Sequence, residues 1–215
     1  MTVELLKADY RSLSDIKWVV IHHSATPSGN VEVFRRYHVE NLGYEDVAYH
    51  YVITNGNDGP DGEVQEGRPL EKVGAHAYGA NRVSVGICLV GNFTEMQPTA
   101  KQWDSLINLC LSLMARFGIP ASNVIGHKEV PNFFNVAYTT ECPGVNLPPE
   151  KVRAALVQGQ PDYAGHYLEQ SIRKALSLGL LHGYPDRTFR PDQGATRAEL
   201  AAGLVNLYEK LKGSA

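Results

Sequence analysis

Two histidines stand side by side at positions 22 and 23, at the end of the apolar run Trp18-Val19-Val20-Ile21 and just before a Pro/Gly turn. Another histidine, His127, closes the short apolar run Val124-Ile125-Gly126. Cys142 follows it at 142 − 127 = 15 positions, in the polar turn Thr139-Thr-Glu-Cys-Pro-Gly144. One histidine from each run and one thiolate would give a Zn²⁺ ion three protein ligands and leave its fourth position open, which is a catalytic arrangement. The spacing is weakly specific, because no HExxH or CxxC pair accompanies it. The competing reading makes His22, His23 and His127 strand-end residues satisfied inside the fold.

The elements that must position these groups follow from pattern. The run before His22 is short, aromatic and β-branched, and reads as a buried strand. Neighbouring strand residues point to opposite faces, so only one of His22 and His23 faces any given pocket. Alternation alone leaves open which one. Residues 31–42 read as a helix stopped by Gly43, and residues 49–53 as a second strand. The Asn/Asp/Gly-rich residues 55–62, with Glu63 to Glu66 behind them, read as a hairpin. Residues 84–90 form a buried strand pattern. Thr99-Ala-Lys-Gln102 has capping-box form and precedes Trp103, Leu106, Ile107, Cys110, Leu113, Met114 and Phe117 at helical spacing, ended by Gly118 and Pro120. A strand at 124–127 and a helix at 148–157 complete the pattern. Strands alternating with helices predict an α/β fold, a mixed central β-sheet flanked by helices, over residues 1–157. A linker is expected at 158–163. Residues 164–215 then read as a small all-α helix-loop-helix module, with stripes Leu168/Ile172/Ala175/Leu176 and Leu200/Leu204/Leu207/Leu211 on either side of the loop 183–191.

Bulk properties exclude several classes. A formal net charge of −3 gives the chain no general attraction for nucleic-acid phosphates. No apolar stretch reaches the roughly 18 residues of a membrane span, so no membrane insertion is expected. The N-terminus lacks a basic segment followed by an apolar one, so no signal peptide is read there. Three cysteines make no disulfide framework; Cys88 and Cys110 lie in apolar patterns and are expected as buried thiols. His38, His50, His166 and His182 read as surface or core residues.

The motifs IHHSAT, AYHYVI, GAHAYGANRVSVGICLVGNF, GHKEV and TTECPG, in that order and spacing over residues 15 to 157, resemble the type-2 N-acetylmuramoyl-L-alanine amidases and peptidoglycan recognition proteins. The resemblance implies zinc ligands at His22, His127 and Cys142, so that His22 faces the metal and His23 the opposite side. It implies an active-site tyrosine at Tyr49, to orient water or the substrate carbonyl, and a polar residue at Thr140, two positions before the cysteine, to donate to the developing oxyanion. His76 and Asn81 correspond to groove residues that contact the substrate. The implied reaction is hydrolysis of the amide joining the muramic acid lactyl group to L-alanine in peptidoglycan. Glu129 and Glu141 lie near in sequence without an obvious general-base position.

The stretch GYPDRTFRPDQGATRAELA resembles an S-layer homology repeat. Thr196 and Glu199 suffice as a helix cap; Arg197 has no part in that cap, and the resemblance assigns it to an anionic secondary cell-wall polymer. Such repeats normally come in threes, and this chain carries one. Together the two resemblances imply a wall-lytic enzyme of the phage or prophage endolysin kind, made in the cytoplasm and acting at the wall. The alternatives are a cytosolic amidase that recycles muropeptides and a recognition module that binds without cutting.

Overall fold

A computed structural model describes residues 10–159, 162–163, 166–184 and 189–212. Part of the expected linker (160–161) and the centre of the loop 183–191 (185–188) lie outside the described residues. The chain divides into two compact units, Met1–Gln158 and Gly159–Ala215.

The first unit is built on strand β1, Trp18–His23. Its β-branched and aromatic residues fit a pleated, buried surface. It lies between β4 (Ser84–Leu89) and β5 (Val124–Gly126), parallel to both. Strand β2 (Tyr51–Ile53) runs parallel to β4 and antiparallel to β3 (Val64–Glu66), which gives the order β3-β2-β4-β1-β5. This is the mixed sheet that the pattern predicts. Period-two alternation sorts β1 between two cores. Val19 and Ile21 pack with Val85, Ile87 and Leu89 against helix α2 (Ala100–Phe117) and helix α4 (Pro149–Gly159). Val20 faces the other way, with Ala77, Ala80, Ile125 and Val130. Helix α1 (Val31–Glu40) packs on that second side through Val31 and Phe34.

Local signals account for the element ends. The Thr99 side chain accepts from the Gln102 amide, and Gly118 closes α2 at φ 64°, a left-handed conformation that favours glycine. Two boundaries differ from the sequence reading. Strand β2 starts at Tyr51, not 49; ahead of it the carbonyls of Tyr49 and His50 accept from the backbone amides of Arg68 and Gly67. Strand β5 stops at Gly126, whose N–H donates to Glu129 Oε2 at 2.8 Å. The chain then turns through a 3-10 helix, His127–Glu129, into helix α3 (Val130–Phe134). The Val-Pro pair there reads as a breaker in sequence, yet proline in the first helical turn forfeits no hydrogen bond.

In the second unit, α5 (Glu169–Ser177) ends before Gly179 at φ 64°. Helix α6 (Arg197–Lys212) is capped reciprocally: Glu199 N–H donates to Thr196 Oγ1 at 3.2 Å, and Thr196 N–H donates to Glu199 Oε2 at 2.7 Å. Ile172 is buried, but Leu200, Leu204, Leu207 and Leu211 are all exposed. The stripe that reads as core in sequence is therefore open, since two helices offer it too little to pack against within the unit. Among the described residues no helix is long and apolar enough to cross a membrane.

One buried histidine ties the loop before β2 to the sheet. His50 Nδ1 accepts the Gly86 N–H at 3.0 Å, while its backbone N–H donates to the Gly86 carbonyl at 2.9 Å. Burial, then the neighbouring Arg11 charge, pushes its pKa from 6.5 to about 3. The folded chain thus holds His50 neutral where the unfolded chain protonates it. The associated stability is complete above about pH 6.5 and is lost as pH falls toward 3, by up to about 1.4 kcal/mol per pH unit. Denaturant unfolding of metal-free protein between pH 4 and 7 will show a slope shallower by about one proton in His50→Gln than in the wild type. Equal slopes would show that His50 titrates normally in the fold.

Candidate metal centre

His22 and His127 leave the carboxyl ends of two neighbouring parallel strands, where α/β sheets characteristically open toward ligands. Their rings lie 4.5 Å apart by centroids. His22 is 2% exposed and lies on the Val20 face of β1; His23 turns to the other face, where its Nδ1 accepts the Phe93 N–H at 3.1 Å. Of the two, His22 is the one whose ring lies beside His127.

Cys142 arrives on the loop after α3 and is fastened to both strands. Its carbonyl accepts from Lys128 N–H at 2.7 Å, and its Sγ accepts from His23 N–H at 3.4 Å. Sγ stands 3.7 Å from His22 Nδ1. One donor atom each from His22, His127 and Cys142 fall within 4.8 Å of one another. Tetrahedral zinc with nitrogen and sulfur ligands requires donors about 3.3–3.6 Å apart, so this set fits such an ion with small adjustment. Two neutral imidazoles and one thiol are also the right chemistry. Burial holds His22 well below the usual histidine range, with the His127 and His76 charges next in importance, and brings His127 to about 4. Without a cation, burial pushes the Cys142 thiol up to about 12, against a smaller opposite effect of the His23 amide. A cation bound there takes the place of the thiol proton.

The expected accessory residues surround this point. The Tyr49 ring lies 5.3 Å from that of His22, and burial, then the Cys88 and Cys142 thiols, raises its hydroxyl well above the tyrosine range. Its protonated hydroxyl is hydrogen-bonded to the Cys88 thiol. Thr140 Oγ1 accepts the Cys142 N–H at 3.2 Å, which leaves its hydroxyl hydrogen free. A cavity of about 820 Å³ opens beside the centre, lined among others by Tyr44, Tyr78, Asn81, His127, Tyr138 and Thr140. That volume suits a ligand larger than a single amino acid. Tyr138 Oη is buried with no partner among the described protein groups.

The two expected groove residues, His76 and Asn81, both line that cavity and are also bonded within the protein. His76 is 7% exposed, and its Nδ1 lies 3.0 Å from His22 Nε2. Asn81 Oδ1 accepts the amides of both His76 and Ala77, at 2.9 and 2.8 Å. Arg197 is exposed at the start of α6, in the other unit. Glu129 is bound by a two-pronged ion pair with Arg153, at 2.9 and 3.0 Å, besides its bond to Gly126. It braces the His127 turn. Glu141 is exposed. Sequence reasoning missed Arg11 and Arg68, both 6% exposed, which no local pattern marks as buried.

Comparison with known proteins matches this arrangement. The family model described as N-acetylmuramoyl-L-alanine amidase matches residues 12–145, and that of the S-layer homology domain matches residues 161–201. The solved N-acetylmuramoyl-L-alanine amidase LysC from Clostridium intestinale is similar at 32% identity, with a TM-score of 0.59, over 70% of this chain and 91% of that one. A peptidoglycan recognition protein of Trichoplusia ni is 32% identical over 141 residues, which cover 61% of this chain and 71% of the relative. Peptidoglycan-recognition protein LE of Drosophila melanogaster is 39% identical over 109 residues, but the match spans only 29% of that longer protein. With its parallel strands ending in histidines and its cysteine loop closing over them, the first unit belongs to the N-acetylmuramoyl-L-alanine amidase family, and an S-layer homology domain follows it in the same chain.

Proposed function

We propose that the protein is a zinc-dependent N-acetylmuramoyl-L-alanine amidase, cutting the amide between the muramic acid lactyl group and L-alanine in peptidoglycan. The convergence of His22, His127 and Cys142 at one end of a ligand-sized cavity carries the reading. When bound, zinc lowers the pKa of water toward about 7 and polarises a carbonyl. The chain does the rest by position. Tyr49, held protonated by burial, donates a hydrogen bond to the attacking water or the substrate carbonyl. Thr140 directs its free hydroxyl hydrogen to the oxygen that gains charge; loss of one such donor costs about 10²–10³ in rate in comparable sites. Asn81 fixes the wall of the groove through the His76 and Ala77 amides.

A binding-only protein is the competing reading, since relatives are named for recognition. The complete donor set and the placement of Tyr49 and Thr140 favour catalysis. The second unit supports an enzyme that works on insoluble wall, of the endolysin kind, over one that recycles soluble fragments. Its proposed ligand is an anionic wall polymer, whose carboxylate a guanidinium such as that of Arg197 matches.

Three experiments test this function. Purified wild type will carry about one zinc per chain and release L-alanine amino termini from walls, and Cys142→Ser will lose most of both. Zinc without release from any wall or soluble muropeptide would make the protein a binder. Glu129→Gln will lower unfolding free energy by about 1–3 kcal/mol and leave the pH dependence of turnover unshifted, as expected of a brace; loss of the acidic limb of that profile would make Glu129 a proton carrier. Arg197→Ala will weaken co-sedimentation with whole walls while turnover of soluble muropeptide stays unchanged, and undiminished co-sedimentation would remove Arg197 from wall binding.

A further inference from the structure

The partner of His22 on the side away from Cys142 is neither carboxylate nor backbone carbonyl, the usual acceptors behind a metal-binding histidine. It is a second imidazole. His22 presents Nδ1 to Cys142 Sγ, so a neutral His22 ligating through that atom carries its proton on Nε2. That proton needs an acceptor, because the ring is 2% exposed. His76 Nδ1, 3.0 Å away, is the atom in place to accept it. His76 must then hold its own proton on Nε2. There it faces Ser84 Oγ at 3.5 Å, and Ser84 spends its hydroxyl hydrogen on the Ala80 carbonyl at 2.7 Å, which leaves lone pairs toward His76. The hydrogen bonds run in one consistent direction from His22 through His76 to Ser84 and Ala80.

The His76 ring sits in a seat built for it. A Cβ on Gly86 would come within 2.5 Å of its Cδ2 and Cγ, and one on Gly74 within 2.5 Å of its Cδ2. Neither contact is with the loose end of a flexible side chain, so these positions admit only glycine while the ring stays where it is. Asn81 Oδ1 fixes the backbone of His76 from the third side.

We propose that His76 is a positioning residue for the metal centre, setting the tautomer and ring orientation of His22 by accepting its Nε2 proton. This rests on the reading of His22 as a metal ligand. It adds a role for a residue that also lines the cavity, and it explains why two glycines and a serine surround the ring.

The test compares the full-length wild type with His76→Asn and His76→Leu, measuring zinc affinity by competition with a chromophoric chelator and the thermal midpoint of each metal-free protein. Asparagine keeps an acceptor near the place of Nδ1; leucine fills the seat without one. Zinc should bind about 10–100-fold more weakly to the leucine variant, and asparagine should restore most of the loss. Equal affinity in all three proteins, or equal weakening in both variants, overturns the inference while the metal reading stands. Wild type that binds no zinc overturns both. A solely structural ring would lower the metal-free midpoints of both variants and leave their zinc affinities equal to that of wild type. Should the leucine variant fail to fold, long-range ¹H–¹⁵N correlation spectra of the zinc-loaded wild type decide. Protonated Nε2 with bare Nδ1 on His76 supports the inference, and the opposite tautomer removes it.

Discussion

Two buried guanidiniums, bonded to backbone carbonyls, hold together the loops around the candidate metal centre. Arg11 donates to the carbonyls of Leu70, Asn81, Arg82 and Ser84, and its remaining nitrogen lies 2.8 Å from His50. Arg68 donates to the carbonyls of Asp46, Val47 and Val73. Desolvating a guanidinium costs several kcal/mol, which multiple charge-assisted hydrogen bonds offset. In exchange, segments far apart in sequence are fixed against one another: the approach to β2, the loop before His76 and the start of β4. His76 depends on that frame, and His22 on His76. Among the described residues, the fully buried polar set contains histidines and arginines but neither aspartate nor glutamate. Buried imidazoles in such company stay neutral, which is the state that can ligate a cation.

The sheet supplies the other half of the precision. Parallel strands in register end at the same level, and β1 and β5 pair from Val19↔Val124 to Ile21↔Gly126. The next residue on each is a histidine, so His22, still in β1, and His127, at the start of the turn after β5, emerge side by side. A one-residue slip would turn His22 into the α2 core and bring His23 forward. The core on that face, with Ile21, Ile87 and Leu106 fully buried, opposes such a slip. Only Cys142 comes from a loop, and it is the residue with a backbone bond to each histidine strand or its extension.

What can be read in the sequence is what repeats along the chain or sits at a fixed offset. The apolar stripe of α2, its Thr99 cap and Gly118 stop, the strand before His22 and the Thr196/Glu199 cap all belong to this class, since each is a local pattern. The histidine and cysteine positions are legible as ligands only by resemblance, because three isolated residues on three segments carry no local pattern. Arg11 and Arg68 escape for the same reason: their partners are backbone carbonyls, which every residue has. The burial of His76 escapes too, because Gly74 and Gly86 make room for its ring through absent side chains, which no local pattern marks. The α6 stripe fails differently. Helical periodicity shows which residues share a face, but not whether anything covers that face.

The choice of an imidazole behind His22 also has an electrostatic consequence. A carboxylate in that position would bring a second negative charge to the ligand set and make His22 a more basic donor. With His76 there, the thiolate of Cys142 is the only anion that the proposed ligands and their immediate partner would contribute, so a divalent cation held there would be incompletely neutralised. Arg68 lines the cavity as a buried cation, with the Asp46 and Glu45 charges as its nearest counterweights. A divalent cation so held would withdraw electrons strongly from a carbonyl. That property would suit hydrolysis of an amide, and it follows from an imidazole rather than a carboxylate standing behind His22.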